Sequence, residues 1–436
     1  TGAIAIGWVA AQTNQQTNAI AIGTNSGQAN QGQNSIAIGS NSAITGQQNN
    51  SIAIGSSAGY SNQGAYSLAI GEASGYINQR TQAIAIGQDS GSNQQQNGAL
   101  CIGYGSGSSN QGTKAVSIGF LTGQKDQSQN AIAIGERAGR TAQGQYAVAI
   151  GYECQTSGST SDSVAIGTQA GSINQKLHAV AVGRLAGNTN QGTYSVAVGA
   201  WAGMFSQGQE AVSCGNLSGR TNQGDYSVAV GSYAGEQSQG YLSVAVGHRS
   251  GNTSQGINAV AIGYGSARQG QGAQSIAIGY NSAQTNQPAN SICINGTSTT
   301  TINNPAASSC VINPIRNVGA RSSTIRATYW NTSTAELSYD ENSNVSEIWD
   351  TRSTSKTPNG YRSDPGGLNV IREFKLNTDV GSPFGASTYV TLETYIPWTD
   401  NSGGVCWQNV FANVDGSVKK RYETSGTTWS SWFSWY

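Results

Sequence analysis

Charge is scarce in this chain. Of 436 residues, 21 are Lys or Arg and 21 are Asp or Glu, a charged fraction of 10% and a formal net charge of zero. An average soluble domain carries about 25%. A balanced, sparsely charged chain has no basic footprint for nucleic acid and no polybasic patch for an anionic membrane. Histidine occurs twice, as His178 and His248, and methionine once, as Met204. The six cysteines (Cys101, Cys154, Cys214, Cys293, Cys310, Cys406) stand far apart, with no CxxC and no Cys/His cluster. A zinc site and a disulfide framework are therefore both excluded as organising features, and no cofactor or metal is expected. No apolar run approaches the roughly 18 residues of a membrane span, and nothing at the start reads as a signal peptide. With Thr at position 1, the chain reads as a processed or partial piece of something longer.

Glycine, by contrast, is abundant, with 59 copies, and it is periodic. From Gly7 to Gly279 a glycine recurs every 16 residues, 18 in strict register, and Asn295 takes the slot in a nineteenth copy. No insertion or deletion interrupts the series, which is the mark of copies that stack on one another. Three residues before each glycine is Ile, Leu or Val, and one before is Ile or Val, with Cys214 the exception. Positions two and four before are Ala, Ser or Cys. Large and small thus alternate with period two, which is a strand.

The other half of each copy has its own rule. Three after the glycine is small, and four after is usually Gly or Ala. Eight after is glutamine in 17 of 18 copies: Gln15, Gln31, Gln47, Gln63, Gln79, Gln95, Gln111, Gln127, Gln143, Gln175, Gln191, Gln207, Gln223, Gln239, Gln255, Gln271 and Gln287. Stacked about 4.8 Å apart, these amides can form a hydrogen-bonded ladder. The one break is Ser159, in a coil where Gln155 replaces the usual Gly or Ala and Cys154 takes the small slot. That coil, Gly151 to Ile166, is expected to be the irregular point of the rod, with altered turns but unbroken stacking.

Residues 1–295 hold 10 basic and 9 acidic side chains, none in the apolar, small, glycine or glutamine slots. The remaining positions must face solvent, because an unpaired buried charge costs several kcal/mol. Sixteen residues make two short strands and two tight turns, one coil of a narrow parallel solenoid. Eighteen coils at about 4.8 Å give a rod about 85 Å long. The large and small rows of the strand cannot both point inward. An outward Ile/Val row would be an apolar stripe far beyond what a monomer exposes. An outward Ala/Ser row would be a smooth strip that also suits close packing. Either arrangement predicts side-by-side association, with three rods around one axis the simplest closure.

The (S/A)-(I/V)-A-(I/V)-G pattern over about residues 1–296 resembles the head repeats of trimeric autotransporter adhesins of the YadA type. The resemblance implies a left-handed parallel β-roll, a homotrimer and a role in attachment. The 16-residue period and the glutamine ladder depart from that family, whose repeats usually run to about 14 residues. The AIAIG and NQG pieces look more like fibre proteins of bacteriophages and large DNA viruses.

Composition changes at Asn295. Seven of the nine tryptophans and six of the seven prolines follow it. Segment 297–309 is a turn-rich linker by composition, and 297–345 is read as a connector with a small β neck. INPIRN and AELSYD within it resemble the connector of large-virus fibre proteins. Residues 346–436 read as a compact α/β or mostly β tip, with strands in YVTLETYIPW and CWQNVFANV and a turn at Asp415-Gly416. The ending SGTTWSSWFSWY, with Trp429 and Trp432 at W-x-x-W spacing after KKRYE, resembles pyocin-knob domains. That resemblance implies a receptor end that contacts host-surface sugars.

The candidate glycan contacts are Trp398, Trp407, Trp429, Trp432, Trp435 and Tyr436, each of which could equally serve a small domain's core. Tyr66, Tyr146, Tyr194 and Tyr226 form a second possible stripe on the roll. The two histidines occupy different repeat slots, which supports neither a triad nor a metal site. Asp364, Asp379, Asp400 and Asp415, the acids a glycan-cleaving tip would need, sit in turn-like sequence. Asn49, Asn216, Asn252, Asn295, Asn331 and Asn344 carry chance sequons. The expected function is therefore a non-enzymatic, extracellular fibre on a virion or cell surface, presenting a tip to a host glycan or protein receptor. Three alternatives remain: an autotransporter-type adhesin that binds through its roll, a fibre-borne polysaccharide depolymerase, and an ice-binding solenoid. The last would need a flat threonine ladder that the varied outward slots do not supply.

Overall fold

The computed structural model describes residues 2–297, 301–303, 306–314, 328–331, 336–339, 348–350, 370–376, 380, 383, 389–395, 406–412, 417–425 and 428–434. Every described regular element is a strand. The chain divides into two compact units, Thr1–Ile315 and Arg316–Tyr436.

In the first unit each apolar tetrad forms a strand of three residues, or four in the last two copies, from Ile4–Ile6 onward, which pairs in parallel with the next at an offset of 16. Ile20 sits against Ile36, Ala21 against Ala37 and Ile22 against Ile38. The sheet has 20 strands. Opposite it a second ladder runs as single bridges from Thr13↔Ala29 to Ile173↔Thr189, then as six short strands from Thr189–Gln191 to Gln269–Gln271. Parallel pairing continues past the compositional boundary at 296. Cys310–Asn313 pairs with Ile292–Asn295 at an offset of 18, and Ala283 N donates to Ile302 O.

The tight turns explain the composition. Each coil places several residues at φ near +50 to +60°, and Asn is the commonest non-glycine there, as at Asn14, Asn18 and Asn25. Its short amide tolerates this region best. Neighbouring coils then join these amides, with Asn14 Nδ2 donating to Asn30 Oδ1 at 3.0 Å and Asn25 Nδ2 to Asn41 Oδ1 at 3.0 Å. The glycine that closes each strand is fixed by close approach. At Gly23, with φ +128°, a Cβ would lie 2.6 Å from Gly39 O of the next coil. A side chain there would force the coils apart.

The alternation resolves in one direction. The Ala/Ser/Cys row points inward and is fully buried, as at Ala21, Ala37, Ala53 and Ala149. The Ile/Val/Leu row points outward and is half-buried or exposed along the whole sheet. The coil is too narrow for two branched side chains facing each other. Its opposite wall is the glutamine row, also buried, and small residues leave the room those amides need.

The second unit centres on an antiparallel sheet of Val370–Leu376, Tyr389–Tyr395, Trp407–Ala412 and Val418–Ser425 in sequence order. Ile348–Asp350 pairs in parallel at one edge, while Thr428–Trp429 and Phe433–Ser434 fold back on Val418–Ser425. Val380, Val390, Leu392 and Val410 form its core, with Trp432 packed against them. A hairpin joins Thr328–Asn331 to Glu336–Tyr339, within the expected neck.

Candidate adhesive and assembly surfaces

The buried glutamines hold the coil closed from within. Gln31 Nε2 donates to Ile20 O at 2.7 Å, and the same bond recurs from Gln47 to Ile36 O and from Gln63 to Ile52 O. The amide thereby ties the second ladder to the strand of the preceding coil. Amide-to-amide bonds add a true ladder in three stretches, one of them running from Gln111 to Gln127 and on to Gln143. Gln47 donates to Gln63, Gln63 to Gln79 and Gln79 to Gln95 at 3.1–3.3 Å. Further along, Gln255 donates to Gln271 and Gln271 to Gln287. Gln15, in the first coil, bonds Ile4 O at 2.8 Å but is not fully buried. Where the inward strand residue is serine, its hydroxyl completes the carboxamide: Ser117 Oγ donates to Gln127 Oε1 at 2.7 Å and Ser213 Oγ to Gln223 Oε1 at 2.6 Å. Where it is alanine, several Oε1 atoms lack a partner, among them those of Gln191, Gln207 and Gln239.

The irregular coil repairs itself. The sheet passes through in register, Val148↔Val164↔Val180. Gln155, with φ 46°, turns its side chain into the interior and supplies the amide that Ser159 cannot. It accepts from Gln143 Nε2 at 3.3 Å and donates to Gln175 Oε1 at 2.7 Å.

Outside, the Ile/Val/Leu row is a continuous apolar strip, 39% exposed at Ile166 and 38% at Ile262. Cys214, in that row, is exposed, whereas Cys101 and Cys154 lie inside. Burial raises both inner thiols, Cys154 to about 12.

The turns beside the strip carry aromatic and charged groups in short stacks. Tyr104 and Phe120 stack at 5.3 Å, His178 and Tyr194 at 4.9 Å, and His248, Tyr264 and Tyr280 form a column at 5.1 and 5.3 Å. Tyr66, Tyr146, Tyr194 and Tyr226 are exposed at left-handed positions of one turn. Ion pairs climb the coils at an offset of 16, Arg137 to Glu153 at 3.2 Å and Arg220 to Glu236 at 3.4 Å. At such exposure each contributes up to about 1 kcal/mol. Hydrogen bonds from Gln169 and Tyr152 hold the Glu153 carboxyl below its usual range, and the same contact raises Tyr152.

The tip candidates separate by face. Trp432 belongs to the core: its Nε1 donates to Val380 O at 2.6 Å, and Arg421 lies over its ring at 4.3 Å. Arg421 also stands 5.0 Å from Trp429. Trp407 lies on the opposite face, stacked on Tyr395 at 4.9 Å with Lys420 5.5 Å above its ring. Glu393 and Asn409 share that face by register, and Tyr422 and Phe433 are exposed beside them. Trp398, Trp435, Tyr436 and the four aspartates Asp364, Asp379, Asp400 and Asp415 lie outside the described residues. Among the described residues no cluster of three His, Cys, Asp or Glu could hold a metal, and no helix is long and apolar enough to cross a membrane.

A family model described as YadA head domain repeat (2 copies) matches residues 28–43, 127–153, 142–170 and 238–266, all within the coils. The roll is thus similar to YadA head repeats over those stretches. No curated protein and no solved structure matches the chain.

Proposed function

We propose that this chain is a surface-exposed, non-enzymatic adhesin fibre, trimeric in use, whose roll is both its stiff shaft and its adhesive surface. The outward Ile/Val/Leu row carries this reading. Nineteen tetrads offer 38 large slots, 37 of them Ile, Leu or Val, and the structure turns that row outward, half-covered in a single chain. Each such side chain gains about 1.5–3 kcal/mol on full burial. Two further copies of the same rod, related by a three-fold axis, present the same row at the same height and complete that burial. The match to YadA head repeats supports the same assembly and the same use. Varied, solvent-facing turns then remain as the adhesive surface.

A second reading places receptor contact on the second unit, as a virion or phage-type fibre tip would. The stacked Tyr395 and Trp407 with Lys420 above them favour it, since an aromatic face beside a cation suits a sugar. One comparison separates the two. Residues 1–315 and the full chain are each tested for trimer mass in native buffer and for attachment to host cells. Equal attachment by the roll alone supports the first reading. Attachment lost with residues 316–436 supports the second, and a stable soluble monomer refutes the trimer.

A further inference from the structure

Between Glu236 and Asn295 the chain contains no Asp or Glu, yet it holds His248, Arg249 and Arg268. Elsewhere on the roll Arg140 donates to Gln124 and Arg184 lies over the Trp201 ring, while Arg137 and Arg220 find an acid one coil away. Arg249 and Arg268 do not: their counterparts at 16 residues are Tyr233 and Gly265, and Asn252 and Gln284. The nearest acid in the turn, Glu236, is already held by Arg220 Nη1 at 3.4 Å and Asn252 Nδ2 at 2.9 Å.

The two arginines are neighbours by the geometry of the coil. Asn188 Nδ2 donates to Gln169 O and Asn252 Nδ2 to Tyr233 O, both across 19 residues and both at 2.9 Å. Arg268 is 19 residues beyond Arg249, so it occupies the same place relative to it. Arg249 lies 5.5 Å above the Tyr233 ring, and Arg268 Nε is buried without a partner. The column of His248, Tyr264 and Tyr280 occupies the adjoining slot, with both tyrosines exposed.

We propose that this turn face, spanning residues 233–280, binds a carboxylated polysaccharide laid along the rod. Two uncompensated guanidinium groups pair with carboxylates in a geometry no neutral sugar can use. The tyrosine column offers an apolar wall and hydroxyl groups to the C–H and O–H edges of successive sugar units. The aromatic column runs over three successive coils along the fibre axis, so an extended polymer gains contacts that a single sugar cannot. An acidic peptide would satisfy the arginines but not the aromatic column. The proposal names the ligand class for the roll-borne adhesion described above and rests on that reading for its biological use.

The test uses the full chain, immobilised, with soluble polygalacturonate as probe and dextran and polyglutamate as comparison polymers. Polygalacturonate is expected to bind, more weakly as salt rises, and dextran is expected not to. R249Q/R268Q should weaken binding by about tenfold or more, as the loss of charge-assisted pairs implies, while R249K/R268K restores part of it. Y264A should weaken it too, and R80Q/K176Q, which removes cations from other turns, should leave it unchanged. Hydrogen exchange of the strand amides confirms that each variant keeps its coils. Absence of polygalacturonate binding, equal binding by R249Q/R268Q, or polyglutamate binding as tight as polygalacturonate would each overturn the proposal. Host-cell attachment measured alongside keeps the two ideas apart. Attachment that survives R249Q/R268Q removes this site from the adhesin's function. Polygalacturonate binding without attachment keeps the site and removes the adhesin reading.

Discussion

Gln155 offers the sharpest test of how the rod is held together. Its carboxamide bonds Gln143, Gln175 and Ser163 inside a coil that otherwise lacks a glutamine. Gln155→Gly leaves Gln175 Oε1 buried without its donor, at a cost of about 1–3 kcal/mol. It also removes two buried methylenes, about 1.6 kcal/mol. Against this, glycine relieves a left-handed backbone by about 1 kcal/mol. The net loss is about 1.6–3.6 kcal/mol, which opens the coil roughly 15- to 400-fold more often. Ser159→Gln alone puts two amides where one fits and costs about 1–3 kcal/mol by overpacking. The double variant recreates the coil used elsewhere in the roll, and should return to within about 0.5 kcal/mol of the parent. Hydrogen exchange at Val164 N, bonded to Ala179 O, and at Gly167 N, bonded to Ile150 O, reads the opening directly. A local measurement is preferable because long stacked arrays need not unfold in one step. If the two single effects simply add in the double variant, Gln155 is not standing in for the missing ladder residue and the reasoning fails.

Four further outcomes are expected. Ala229→Ser places a hydroxyl beside the unpartnered Gln239 Oε1, as Ser213 already does for Gln223, and should slow exchange in that coil by an amount near 1 kcal/mol. Cys154, raised to about 12 by burial, keeps its proton in the folded chain after an unfolded thiol has lost one. Its contribution to stability is therefore complete below the ordinary thiol value, about 8.5, and declines as pH rises from there toward about 12, which denaturant titrations across that range will show. At pH 8 a thiol reagent should leave Cys101 and Cys154 unlabelled in the native chain, while Cys214 reacts quickly in a monomer and slowly where three rods bury its row. Trp432→Ala should cost the second unit about 3–5 kcal/mol, visible in its melting, whereas Trp407→Ala, half-buried on the face away from that core, should lower that melting less.

Much of the roll was legible before any coordinates. Eighteen glycines at one spacing require stacked coils of equal length, since any loop of free length would have drifted, and two-residue alternation requires strands. The absence of charge from the glutamine slots already marked them as interior, though only the structure shows the amides bonding strand carbonyls. The tryptophans of the tip were less readable. Trp407 and Trp432 look alike in sequence, and only strand register sends one to the face opposite the core and the other against the core. The pairing of Arg249 with Arg268 is hidden for a similar reason: a 19-residue offset has meaning only once the turn geometry is known.

Sequence alone determined the period, the strands, the register and the chemistry of every slot, because those follow from local alternation and from a repeat without gaps. Which row faces inward was a tertiary decision. Alternation permits either face, and the choice depends on the width of the closed coil, where buried glutamines opposite the strand leave space for Ala21 but not for Ile20. The same closure put the branched row on the outside, and so made a continuous outward apolar strip a property of the folded rod that no single repeat contains.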